Sequence, residues 1–182
     1  MRGLIIVLIL LLGFTGNAFA GSPAEDEGQA GFMAFAMKDY DGSIEHYTKA
    51  IVLETDKLHL SQLYNQRGFV YDLKGSYDQA LADLSQAIAL QPDYALAFSN
   101  RGHVLLHQGL YDQALADANK AVTFADNDNK LGTSTLFEYR AEIYEKLGQR
   151  DNAIADYRKA LSLVPALHQD AKDGLARLGA GS

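Results

Sequence analysis

Tyr77-Asp78-Gln79-Ala80-Leu81-Ala82-Asp83 returns letter for letter as Tyr111-Asp112-Gln113-Ala114-Leu115-Ala116-Asp117. The copies lie 34 residues apart, and a chain that writes one helix twice at such a period is building an array of stacked helical hairpins. Working outward, Tyr64, Arg67, Gly68, Tyr71, Gly75, Ala80, Leu84, Ala87 and Pro92 stand at set distances from the shared block. Phe98, Arg101, Gly102, Leu105, Gly109, Ala114, Ala118 and Ala121 repeat them, and so do Phe137, Arg140, Ala141, Tyr144, Gly148, Ala153, Tyr157, Ala160 and Pro165. A weaker copy comes first, with Gly31, Ala34, Tyr40, Ser43, Tyr47 and Ala50.

The spacing has a physical reason. Small or apolar residues recurring every three to four positions put one buried stripe on each helix, and such a stripe must be covered by a neighbour. Gly68, Ala80, Gly102, Ala114, Ala141 and Ala153 are the small residues that let two helices approach closely. Gly75, Gly109 and Gly148 suit a left-handed turn ending the first helix of each pair. Asp78, Asp112 and Asp151 then fall in the first turn of the second helix, where a carboxylate favours the positive end of the helix dipole.

These residues resemble the tetratricopeptide repeat (TPR), whose signature is an aromatic, a small residue, a Tyr, then Ala, an aromatic and Pro at those spacings. The resemblance implies an all-α fold, a right-handed superhelical solenoid of antiparallel helix pairs with about four hairpins and a C-terminal capping helix. The repeats are expected at approximately 24–57, 61–94, 95–128 and 134–167 in a single domain 21–182, with the cap at 168–179. Ala171, Leu175 and Leu178 would face inward from that cap.

Met1 to Ala20 carries one charge, Arg2, then the apolar run Leu4 to Leu12, and ends Ala18-Phe19-Ala20. This reads as a cleaved secretory signal peptide, its apolar run shorter than the roughly 20 residues a membrane span needs. The expected location is therefore periplasmic or secreted, with no stable membrane insertion after cleavage. Lys and Arg number 16 against 23 Asp and Glu, a net charge of −7, which argues against nucleic acid or anionic lipid as partner. There is no Cys, so stability must come from packing. Ser22-Pro23-Ala24-Glu25 reads as a helix start, and Glu54 to Leu60 as a polar connection.

Catalytic chemistry is hard to find: no Cys nucleophile, no G-x-S-x-G turn, no glycine-rich phosphate loop. His103 and His107 share a helix face, but Val104 stands where a zinc protease needs Glu, so no metal is expected. The alternating acids of Asp126-Asn127-Asp128-Asn129 are followed by Lys130, which the calcium loop pattern does not allow, and the stretch to Gly132 reads as a surface loop. Arg67, Arg101 and Arg140 recur at one place and Asp83, Asp117 and Asp156 at another, an Arg–Asp ladder expected to pin successive hairpins. No enzyme and no cofactor are expected.

In TPR proteins the first helix of each pair lines the concave surface. The resemblance thus implies a partner-binding groove of Phe32, Phe35, Asn65, Gln66, Phe69, Asn100, His103, His107, Glu138, Tyr139, Glu142 and Glu145, aromatic at one end and acidic at the other. A protein or peptide with apolar and basic residues would suit it. One TPR subtype grips a terminal carboxylate with Lys, Asn and Arg; Asn100 matches one of these, but Thr135 and Tyr139 replace the bases. The expected function is a non-catalytic interaction module of the cell envelope, with a self-associating structural subunit as the alternative.

Overall fold

The computed structural model describes residues 21–126, 128–165 and 168–181; the leader assigned to residues 1–20 lies outside them. Nine helices and no strand are present among the described residues, and the fold class is the expected one, all-α tandem helix pairs. The helices group into two compact units, up to Leu90 and from Gln91 onward.

The first unit holds α1 (Pro23–Ala36), α2 (Tyr40–Leu53), α3 (Lys57–Leu73) and α4 (Tyr77–Leu90). Ser22 caps α1 and forms a reciprocal capping box with Glu25, while Asp39 caps α2 and Asp56 caps α3. Each cap satisfies backbone N–H groups that the helix itself leaves without a partner. Because Asp56 starts α3 so early, Lys57 to Leu60 are helical rather than part of a polar connection. Phe35, Tyr47, Ala50, Leu63 and Val70 form the apolar centre, with Phe32, Tyr40, Ile44, Ile51 and Phe69 packed against it.

The second unit holds α5 (Ala95–His107), α6 (Tyr111–Thr123), α7 (Lys130–Lys146), α8 (Arg150–Leu163) and α9 (Gln169–Arg177). Asn129 caps α7 by accepting from the Gly132 amide at 2.9 Å. Lys130, Leu131 and Gly132 are consequently the first turn of a helix, and the loop is shorter than its sequence suggests. Ala141, Ala153, Ile154, Tyr157, Ala171 and Leu175 make a core in which α9 packs on α8, with Leu178 against it.

Close approach explains the small residues. A Cβ on Gly68 would lie 2.8 Å from Leu84 Cγ, and one on Gly31 would lie 2.8 Å from Tyr47 Cδ1, both inside any tolerable contact. Ala80, Ala114, Ala141 and Ala153 have no exposed surface. Leu84, fully buried against Gly68, contributes about 2 kcal/mol by leaving water. Gly75, Gly109 and Gly148 take φ of 74°, 75° and 70°, and Lys38 adopts the same conformation at φ 63° in the first hairpin.

Candidate functional site

The repeated charges are consumed by the fold. Arg67 Nε and Nη2 donate to Asp83 Oδ2 and Oδ1 at 2.7 and 2.8 Å. Arg101 repeats the fork on Asp117 at 2.8 and 2.9 Å, and Arg140 on Asp156 at 2.6 and 2.9 Å. Each pair joins the two helices of one hairpin, which corrects the expectation of a ladder between hairpins. What reaches backwards is the spare nitrogen: Arg67 Nη1 donates to Thr48 at 2.8 Å and Arg140 Nη1 to Asn119 at 3.0 Å. The hydrogen bond to Asp83 raises the Arg67 pKa, and Asp156 does the same for Arg140.

What remains open on the first helices differs between the units. In the first unit Phe35 is buried at 8% exposure and meets Phe69 edge-on at 5.7 Å, while Asn65 is 1% exposed. Both are thereby removed from the face on which the sequence placed them, Phe35 by packing on Phe69 and within the apolar centre of the unit. Phe32, Gln66 and Phe69 stay partly exposed. Gln62 and Gln66 edge a small cleft with Ala24, Gly28, Leu63, Glu54 and His59.

In the second unit His103 stacks on Tyr139, ring centroids 4.0 Å apart. Tyr139 is 4% exposed and its hydroxyl lies against Gly102, where any Cβ would collide with it. Gly102 therefore makes room for a tyrosine from the next hairpin as well as for its own partner helix, and Tyr139 leaves the list of open positions. Burial, and then the nearby His107, push the His103 pKa down to about 4, so at neutral pH it presents an uncharged imidazole. His107 is exposed and Asn100 partly so.

The acidic stripe is the seat of α9. Glu138, Glu142 and Glu145 recur at helical spacing on α7, and Glu138 Oε2 lies 2.9 Å from His168 Nδ1 at the start of α9. Arg177, at the end of α9, donates to Glu145 Oε1 at 2.9 Å, and the Tyr157 hydroxyl donates to the same oxygen. Burial works the other way, but the bonds from Arg177 and Tyr157 prevail and lower the Glu145 pKa. Two of the three glutamates expected to meet a basic partner thus already hold basic groups of this chain; Glu142 remains partly exposed.

Sequence reasoning also missed Ser134. Its Oγ lies 2.7 Å from His168 Nε2, which completes a Ser–His–Glu chain with Glu138, the residue types of a hydrolase. Ser134 has no exposed surface, however, and its Oγ also donates to the Leu131 carbonyl at 2.8 Å. No substrate carbonyl can reach it, and the chain works as a buried fastening. A signal existed: Ser134 and His168 are one repeat period apart, so α9 continues the array as the first helix of a further pair would. No group of three or more His, Asp or Glu suited to a metal occurs among the described residues.

Residues 68–109 match the family described as TPR repeat, and residues 93–166 the one described as tetratricopeptide repeat. The chain is a TPR repeat protein. This TPR chain is similar to heat shock protein STI1 of Saccharomyces cerevisiae, 28% identical over 152 residues, which is 84% of the chain and 19% of the relative. It thus spans about a fifth of that protein's length. Among solved structures, MamA from Desulfovibrio magneticus shares the fold at TM-score 0.68 and 18% identity, covering 89% of each chain. The first TPR of Spaghetti (RPAP3), bound to the HSP90 peptide SRMEEVD, shares it at TM-score 0.61 and 20% identity over 67% of this chain and 92% of that one. Identities this low carry the TPR fold and not the ligand.

Proposed function

We propose that this protein is a non-catalytic interaction module that holds a peptide or partner helix on the exposed positions of its first helices. The observation that carries the reading is the division of labour along the repeats. Positions that recur, the Arg–Asp forks of the three later copies and the small residues of all four, are spent inside the hairpins. Positions that change from copy to copy, Gln66, Phe69, Asn100, His103 and His107, keep exposed surface. Similarity to STI1 and to a TPR bound to an HSP90 peptide supports the same class of role. With Glu138 and Glu145 engaged by α9, the fitting partner offers an apolar anchor and neutral hydrogen-bonding groups.

The place of action proposed is the cell envelope, on the strength of the leader-like residues 1–20. Sequencing the amino terminus of the exported protein tests this: a start at Gly21 supports it, an intact Met1 refutes it. For the binding face, a photo-crosslinking residue placed in living cells at Phe69 or His107 should capture one common species. The same residue at Gln86, exposed on the second helix α4, should not. Equal capture from Gln86 would remove the first-helix assignment. A self-associating scaffold, the other reading, requires the captured species to be this chain itself.

A further inference from the structure

A cleft of about 420 Å³ opens beside α8, lined by Arg150, Asp151, Ile154, Ala155, Arg158, Gly179 and Ala180. Its size falls in the range of ligand sites, and it belongs to a second helix and the segment after α9, apart from the first-helix positions discussed above. Arg150 and Arg158 stand eight apart on α8, so they form one row with a cation at each end, and the exposed Ala155 over the edge of the buried Ile154 makes an apolar floor between. Arg158 is exposed and has no ion pair among the described residues. Arg150 donates through Nη2 to the Leu178 carbonyl and lies 3.5 Å from Asp151 through Nη1.

We infer that this cleft binds an extended acidic protein segment of the pattern Glu-x-Leu-x-Glu, a site independent of the first-helix face. Eight residues of helix separate the two arginines by about 12 Å. In an extended chain residues i, i+2 and i+4 project to one side and span about 13 Å. Two carboxylates and the apolar side chain between them therefore match the row in both spacing and order. Gly179, at φ 66°, turns the chain so that the small Ala180 rather than a long side chain forms the facing wall. Asp151 competes with the incoming carboxylate for Arg150 and tempers the affinity.

The test uses the full chain and fluorescein-labelled Glu-Ser-Leu-Ser-Glu, followed by anisotropy at low salt, where exposed charge pairs are least screened. Arg158→Glu should weaken binding at least roughly ten-fold, the worth of a charge-assisted hydrogen bond, and Asp151→Asn should tighten it. Ala155→Glu, which places a carboxylate on the exposed floor, should also abolish binding and guards against a folding defect in the first variant. His107→Ala should leave the affinity unchanged. No binding by the wild type, equal binding by Arg158→Glu or by a labelled Ser-Glu-Glu-Leu-Ser, or loss of binding in His107→Ala would each overturn the inference.

Discussion

Arg140 forks onto Asp156 with both members largely buried, the side chains 18% and 9% exposed, and its spare nitrogen reaches Asn119 of the preceding hairpin. The same geometry at Arg67 and Thr48 in the first unit makes one side chain serve as clamp within a hairpin and as tether to the one before it. Truncating Asp156 to Ala would strand the guanidinium in a desolvated place, so Asp156→Ala should cost about 3 kcal/mol in urea unfolding. The apolar pair Arg140→Met with Asp156→Leu should recover most of that loss. If the double variant is as weak as the single one, the tether to Asn119 matters more than the fork.

Gly68→Ala poses two opposed effects on one helix. Alanine favours α3 by about 1 kcal/mol through propensity, yet its methyl would meet Leu84 Cγ at 2.8 Å, an overpacking worth roughly 1–3 kcal/mol. Packing should win and the melting temperature should fall. A rise would mean that α3 and α4 can move apart freely.

Lys38 carries the opposite lesson. It holds the left-handed conformation that glycine occupies in the other hairpins, at a cost of about 1 kcal/mol for a residue with a side chain. Lys38→Gly should therefore stabilise the protein by up to that amount in thermal or urea melts, although the change removes no clash.

His103 makes the second unit sensitive to acid. Its folded pKa of about 4 lies below the ordinary 6.5 because burial disfavours the imidazolium. Above pH 6.5 neither state binds the proton and stability is complete. As pH falls from 6.5 towards 4 the unfolded chain takes up a proton that the folded chain refuses, so stability declines by up to about 3 kcal/mol. His103→Asn should flatten this part of the profile relative to wild type. NMR titration of the ring placing its pKa near 6.5 would contradict it.

The Ser134–His168–Glu138 chain should be inert as chemistry and active as structure. A fluorophosphonate probe should leave Ser134 unlabelled in the native protein. His168→Ala would leave Ser134 and Glu138 without their shared partner, and Glu138 Oε1 already lacks one. A loss of about 1–3 kcal/mol is expected, with amide exchange accelerating first in α9.

Much of the hairpin was legible because its determinants are local or periodic. Gly75, Gly109 and Gly148 mark the turns through backbone sterics alone, and Ala80 and Ala114 mark the contact because only a small side chain tolerates it. The candidate site was less legible. Asn65 and Tyr139 occupy first-helix positions in sequence, yet both are buried, Tyr139 against His103 and Gly102 of another helix. Such contacts between helices have no one-dimensional signature.

The amino-acid sequence by itself determined the unit of construction, two helices joined by a turn that is glycine in three of the four hairpins, since repetition and sterics are properties of the chain. Only the tertiary structure decided where the charges are spent. Each Arg finds its Asp within its own hairpin, and the glutamates of α7 find His168 and Arg177 of α9, because such pairings depend on which faces are brought together in space. Burial follows the same rule: His103 stacks on Tyr139, a residue of another helix, and no count of residues along the chain encodes that contact.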